Sequence, residues 1–369
     1  MACIGPTAGM TERGAECATP GGMHKFGVRL PPDRSHPDAV VRRLRNRMIS
    51  LDKSRLRKNV ALRRELKSLD AQYGKQLAAL MGTGGSRRYR ELREETRDAP
   101  RSRRIRAANK ILTDIGVDRA RVERLQRDYL EAGRKLLEVA LVPPPRTRFP
   151  HHDDCTPWVI HTAPYNGYFW SYSWERSDEA DDPVLARYLD PVSGQIGSSI
   201  RTRVSGADDD DSISADYYTS LNAWHTALET GALEGYLVFE FRRSTYSGDI
   251  SDEFGFSSVL YTQAASARMR VLDAQALLDH QESQMFGFTE FLYCEEDLWK
   301  KQIAVPRDFH WYYFRTGASF NQGSTVLLEA GIMNTTWFKC NDYSVTIEDD
   351  IELRLDRIMV RTCPAAPIL

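Results

Sequence analysis

The sequence predicts an α+β multidomain protein: an N-terminal basic helical hairpin or coiled coil followed by an antiparallel, jelly-roll-like β-sandwich. Three observations predict it. The formal charge of −1 over 369 residues is an average, because residues 1–150 hold 34 basic and 17 acidic side chains while residues 151–369 hold 16 and 34. The aromatics divide at the same place: only 5 of the 37 Phe, Tyr and Trp precede residue 151, and all seven Trp follow it. The spacing of apolar residues also changes there, from steps of three and four to steps of two.

Residues 1–37 carry Gly21-Gly22, Pro31-Pro32 and Pro37 without hydrophobic periodicity. Such a segment cannot repay its ordering entropy and is expected to be a disordered leader. Helical pattern begins after Pro37 and defines a basic helical domain over 38–142. Apolar residues recur at Val41, Leu44, Met48 and Leu51, then one residue out of phase at Leu62, Leu66, Leu69, Tyr73 and Leu80, with Arg55 and Lys58 between the stripes. That phase break reads as a coiled-coil stutter. Gly82-Thr83-Gly84-Gly85-Ser86 is expected to end the helix and reverse the chain, because glycine accepts a left-handed terminal conformation. Helix-forming sequence returns from residue 87, and Ile105, Ala108, Leu112 and Ile115 mark a face closed by Gly116. Asp118 can cap the next helix, whose stripe of Val122, Leu125, Tyr129, Ala132, Leu136 and Val139 is the most regular in the chain. Pro143-Pro144-Pro145 stops it and opens a linker over 143–155.

The acidic, aromatic body is expected over 156–363. Tyr168, Trp170, Tyr172 and Trp174 share one face of a strand, with Ser171 and Ser173 on the other. Leu237, Phe239 and Phe241 alternate with Glu240 and Arg242, and Ala267, Met269 and Val271 with Arg268 and Arg270. Residues 309–314 are apolar on both faces and read as a central strand. Residues 324–330, 335–347 and 351–361 read as further strands. The last needs a bulge near Arg357 to keep Leu353, Leu355, Ile358 and Val360 on one face. Only 273–284 and 183–189 read as helical.

Several function classes are excluded. No stretch approaches 18 consecutive apolar residues, and the first 37 residues lack a signal-peptide core, so a cytoplasmic protein is expected, with signal-independent export left open. Six cysteines (Cys3, Cys17, Cys155, Cys294, Cys340, Cys363) without a C-x-x-C pair read as reduced thiols. No cofactor or metal is expected. In His151-His152-Asp153-Asp154-Cys155 adjacent side chains rarely converge on one ion. The calcium pattern starting at Asp208 fails, with Ile213 in place of glycine and Thr219 in place of the closing glutamate. Asp249 to Glu253 reads as a second solvated acidic loop. There is no G-x-S-x-G and no H-E-x-x-H, and the Gly82 to Gly85 run lacks a Walker lysine. His225 and His310 read as hydrogen-bonded sheet residues.

Three constellations remain. The ladder Tyr168, Trp170, Tyr172 and Trp174 is core if its serine face meets water, and otherwise a platform for sugar rings or bases. The clusters Arg42, Arg43, Arg45, Arg47, then Arg55, Arg57, Lys58, then Arg101, Arg103, Arg104, Arg106 suit backbone-directed, salt-dependent binding of a polyanion. Glu290, Glu348 and Asp350 would have to converge in a cleft for a carbohydrate hydrolase. The reading that follows is a non-enzymatic binding or structural protein, with a helical stalk for self-association or docking to a protein partner and a β-sandwich recognition head. A nucleic-acid-associated protein and a β-sandwich hydrolase acting on carbohydrate are the alternatives.

Overall fold

Period-two sequence forms strands wherever it occurs, and these strands pair into two sheets. The computed structural model describes residues 2–4, 13–19, 22–30, 38–96, 101–140, 154–176, 183–204, 211–252, 259–273, 278–292, 299–304, 308–340 and 343–364. Its elements are β1 (Ala2–Ile4), β2 (Arg13–Thr19), β3 (Gly22–Arg29), α1 (Asp38–Thr96), α2 (Arg101–Ile115), α3 (Arg119–Ala140), β4 (Val159–Thr162), β5 (Gly167–Arg176), β6 (Val184–Asp190), β7 (Gln195–Val204), β8 (Asp211–Thr226), β9 (Gly231–Asp252), β10 (Val259–Asp273), β11 (Leu278–Leu292), β12 (Trp299–Ala304), β13 (Phe309–Phe320), β14 (Thr325–Cys340) and β15 (Tyr343–Cys363). The first sheet runs β1-β2-β3-β5-β8-β14-β10-β11, and the second runs β12-β9-β15-β7-β6, with β13 also on β9 and β4 on β15. The described pairs are antiparallel, and neighbours out of sequence order mark crossovers between the sheets. This is the expected β-sandwich.

The core lies between the sheets. Leu221, Ala267, Met269, Val271, Val326, Leu328 and Ile332 of the first sheet meet Leu237, Phe239, Phe241, Tyr312, Phe314, Ile351, Leu353 and Val360 of the second. The alternation read at Leu237 to Phe241 and at Ala267 to Val271 therefore points inward as expected. In β15 the register shifts between Leu355 and Arg357, which is the bulge the pattern needed. The extra residue, Asp356, accepts ion pairs from Arg354 at 2.9 Å and Arg357 at 2.6 Å.

The outer face of the first sheet is buried too. Val41, Leu44 and Met48 of α1 pack with Phe26 and Val28 of β3, Phe169 of β5, Tyr218 of β8, and Leu327 and Met333 of β14. The first apolar stripe of α1 thus docks on a sheet, and a coiled-coil seam is not what it forms. The second stripe has other partners, since Leu66 and Leu62 pack with Trp337 and with Leu136 of α3, and Tyr73 stacks on Tyr129 at 4.6 Å. The phase break at Arg55 and Lys58 falls where α1 passes from one partner surface to the next. At Gly82, with φ 68° and ψ 170°, the helical dihedrals break, so the first helix of the α1 segment ends there as read and a second runs on to Thr96. The bend between them is sharp, because Ser86 Oγ reaches the Ala78 carbonyl at 3.3 Å, although eight residues of straight helix span about 12 Å. Gly116, at φ 72°, closes α2 as read, and Asp118 Oδ1 accepts from the Ala120 amide at 3.0 Å at the start of α3.

Other expectations are corrected. Within the supposed leader, residues 2–4, 13–19 and 22–29 form β1, β2 and β3, and β3 pairs with β5 with the alternating Phe26, Val28 and Leu30 buried. Residues 184–190 and 278–292 are strands, not helices, as sheet pairing overrides local helix propensity. Asp249 to Asp252 belong to β9 and are no loop; Glu253 lies outside the described residues. β13 is not central. It pairs only with β9 among the described strands, and Phe309 and Trp311 on its second apolar face are 46% and 48% exposed.

Candidate functional site

The site grows from the edge position of β13. Register places Tyr313 beside Tyr236 of β9, Tyr236 beside Met359 of β15, and Met359 beside Ile160 of β4. One row further, Arg315, Glu234 and Arg361 lie side by side. Paired residues share a face, and Tyr312, Phe314 and Leu237 take the core side, so these rows form the outer surface of the second sheet. Trp158 joins them from the residue before β4. Its ring lies 5.6 Å from Tyr236, and Tyr236 lies 5.9 Å from Trp311 and 5.7 Å from Tyr313. Trp158 is 36% exposed and Trp311 48%. Of the seven large apolar side chains exposed among the described residues, four (Trp158, Ile160, Phe309 and Trp311) come from β13 and the β4 segment, which makes this a patch and not scatter.

Beneath the rings sits a buried carboxylate. Glu234 is 1% exposed and accepts from Arg361 Nε at 2.8 Å and from its Nη2, from Arg315 Nη1 at 3.2 Å, and from the Tyr313 hydroxyl at 3.0 Å. Arg361 also lies 4.5 Å over the Trp158 ring, so one guanidinium ties the carboxylate to the indole. Burial, reinforced by Glu234, pushes the Tyr313 hydroxyl up to about 12, and the same causes raise Tyr236. Both phenols stay neutral donors near pH 7.

Two further devices hold this segment in place. Cys155 and Cys363 are joined by a disulfide across 208 residues, which corrects the reading of reduced thiols. The pairing was invisible in the sequence because the cysteines meet only through the sheet. Thr156 and Thr362 reinforce it by exchanging backbone and hydroxyl bonds at 2.9 Å. Cys155, Glu234 and Cys363 are close enough to resemble a metal centre. The bonded sulfurs and the two guanidinium groups on Glu234 make it a poor one, since a cation there would meet surplus positive charge. On the inward side of β4, His161 Nε2 lies 3.2 Å from His225 Nδ1 of β8. Burial lowers both imidazoles, His225 to about 4 with a further contribution from His161. His225 is thus the hydrogen-bonded sheet residue expected. His310 packs its ring against Phe241 at 4.5 Å.

The residues singled out in the sequence are placed differently. In β5, Trp174 is buried while Tyr168, Trp170 and Tyr172 are half-buried. Tyr168 packs on the inter-sheet core, and Trp170 and Tyr172 pack with Ile200, Ala215 and Tyr217. Ser171 and Ser173, expected in water, are 0% and 5% exposed, because their face is the one α1 helps cover. Arg42, Arg43, Arg47, Arg103 and Arg106 are exposed on α1 and α2. The side chains of Arg45, Arg55, Arg57, Lys58, Arg101 and Arg104 lie outside the described residues, as do residues 151–153 and 205–210 of the metal readings. The acids proposed for hydrolysis are ion-paired on the charged end of the second sheet: Glu348 with Arg201 at 2.8 Å, and Asp350 with Arg243 at 3.1 Å and the Tyr188 hydroxyl at 2.9 Å. Glu290 stands on β11, in the other sheet. Sequence reasoning missed Trp158, Glu234, Tyr236, Trp311, Tyr313 and Arg361. The alternation at Phe309, Trp311 and Tyr313 was visible, but nothing local marks a strand as edge.

Fold and face together define a β-sandwich protein with a solvent-facing aromatic surface. No protein-family model matches the chain, and no curated protein matches it significantly. Among solved structures, the carbohydrate-binding module TmCBM61 in complex with β-1,4-galactotriose is similar over 52% of this chain and 88% of its own, at 9% identity and a TM-score of 0.16. A family 11 carbohydrate-binding module from Clostridium thermocellum in complex with a mixed-linked tetrasaccharide is similar over 56% and 97%, at 11% identity and a TM-score of 0.13. The enzymatically active domain of bacteriophage CBA120 tailspike protein 4 is similar over 50% and 19%, at 13% identity and a TM-score of 0.13. Scores this low give no common superposition, so the question of ligand rests on this chain's own side chains.

Proposed function

We propose that this chain is a non-enzymatic carbohydrate-recognition protein whose binding surface is the aromatic outer face of the second sheet. One observation carries the reading: Trp158 and Trp311 stand on that face, each in ring contact with Tyr236, and stay exposed although the fold buries both faces of the other sheet. Aromatic rings accept the C–H faces of pyranoses, and polar groups beside them take the hydroxyls. Arg361 and Tyr313 are placed to do so. Recognition is favoured over hydrolysis because Glu348 and Asp350 are held by guanidinium groups. The helices serve as a buttress on the opposite sheet in this reading.

The test is intrinsic tryptophan fluorescence against a panel of neutral and acidic oligosaccharides, with Trp158→Ala and Trp311→Ala alongside. Saturable binding weakened at least tenfold in each variant is expected. Absence of any saccharide binding, or full binding by both variants, overturns the proposal. Light scattering of Trp311→Ala against the parent reads the rival occupant: a dimer that dissociates in the variant would make this face an interface between copies.

A further inference from the structure

We infer that this face selects a carboxylated saccharide, such as a uronic-acid oligomer, through the Arg361 guanidinium beside Trp158. The inference rests on the carbohydrate reading and adds the ligand's charge to it. It begins at Glu234. One carboxylate takes bonds from two guanidinium groups and the Tyr313 hydroxyl, so its oxygens are filled. Arg361 lies 4.5 Å over the exposed Trp158 ring, with 16% of its own side chain exposed. Arg361 spends Nε and Nη2 on Glu234, and its Nη1 has no hydrogen-bond partner among the described residues. A guanidinium carries five N–H donors in a fixed plane, and two of them sit on Nη1.

Geometry gives this donor a definite role. The bond to Glu234 fixes the guanidinium plane, and the stack on Trp158 fixes its height above the sheet. A sugar ring resting on Trp158 would bring an equatorial carboxylate to Nη1, forming a charge-assisted bond that a neutral hydroxymethyl group cannot match. The rest of the body is acidic, with 16 basic against 34 acidic side chains over residues 151–369. Arg361 places a cation inside the aromatic patch of that body, so an anionic ligand gains an attraction at this spot that the surrounding acidic surface does not give.

The experiment compares acid and ester forms of one backbone. Oligogalacturonate, oligomannuronate and hyaluronan fragments, each with its carboxyl methyl ester, are titrated into the intact protein by calorimetry and by tryptophan fluorescence at low and high salt. At least one acid form is expected to bind tenfold or more tightly than its own ester, with the preference shrinking as salt rises. Arg361→Gln should abolish the preference of acid over ester. Equal binding of acid and ester forms would overturn this inference but leave the carbohydrate reading standing. Binding of neither, with none of the neutral saccharides binding, overturns both. The ester comparison needs no variant, so a folding defect in Arg361→Gln cannot imitate success.

Discussion

The two sheets of this sandwich bury one face against each other and part ways on the other. Outside the first sheet, Phe169, Tyr218, Leu327 and Met333 lie under α1, and even the polar groups are buried. Arg270 there is 3% exposed, pairs with Glu329 at 3.5 Å and lies 4.7 Å from the Tyr218 ring, while Ser220 donates to Glu329 at 2.8 Å. Outside the second sheet, a comparable mixture of aromatic and Arg–Glu groups remains at the surface around Trp158 and Trp311. The same residue types build a core in one place and a recognition surface in the other. What separates them is whether another element covers the face, and that depends on connectivity.

Breaking the covered face should cost stability and spare binding. Phe169→Ala removes a side chain with no exposed surface and should lower unfolding free energy by roughly 3–5 kcal/mol. Urea denaturation measures this, and a midpoint equal to the parent's would mean that the face is open. The residual folded protein should titrate with saccharide as before. Replacing Cys155 and Cys363 together by Ala frees a loop of 208 residues and should cost about 2–4 kcal/mol. Here binding should fall as well, because the bridge anchors the segment carrying Trp158.

Acid should act through β4. The folded His161 and His225 titrate below 6.5, so the unfolded chain takes up protons first as the pH drops. The stability they contribute is whole above about 6.5, declines below it, and is lost as the pH reaches about 4, where His225 itself protonates. Denaturation midpoints at pH 7.5, 5.5 and 4.5 should therefore descend, and His225→Gln should flatten the descent. Trp311→Ala removes a half-exposed ring and should shift stability by less than about 1 kcal/mol while weakening saccharide binding tenfold. Large unfolding in this variant would show that the ring is core. The smallest effect belongs to the helical surface. Changing Arg42, Arg43 and Arg47 together to Gln should leave the denaturation midpoint where it was, since all three are exposed.

Much of the architecture was legible from the chain. The helix cap at Asp118 and the bulge before Arg357 are local matters of propensity and alternation, and each appears where the pattern placed it. The site was less legible. The four-membered ladder of β5 looks like a platform in one dimension. The ladder proves half-buried because β6, β7 and β8 pack around it. The face that stays open belongs to residues 309–314, whose apolar side chains on both faces suggest a central strand.

Alone, the sequence determined the charge division, the aromatic wealth of the body, the existence of the helices and the inward side of most strands, because those follow from composition and spacing. The tertiary structure decided which sheet α1 covers, which strands are edges, that Cys155 meets Cys363, and that Glu234 lies between Arg315 and Arg361. Each of these depends on residues tens to hundreds of positions apart. An alternating strand specifies two faces, and only its neighbours in space determine which of them meets water.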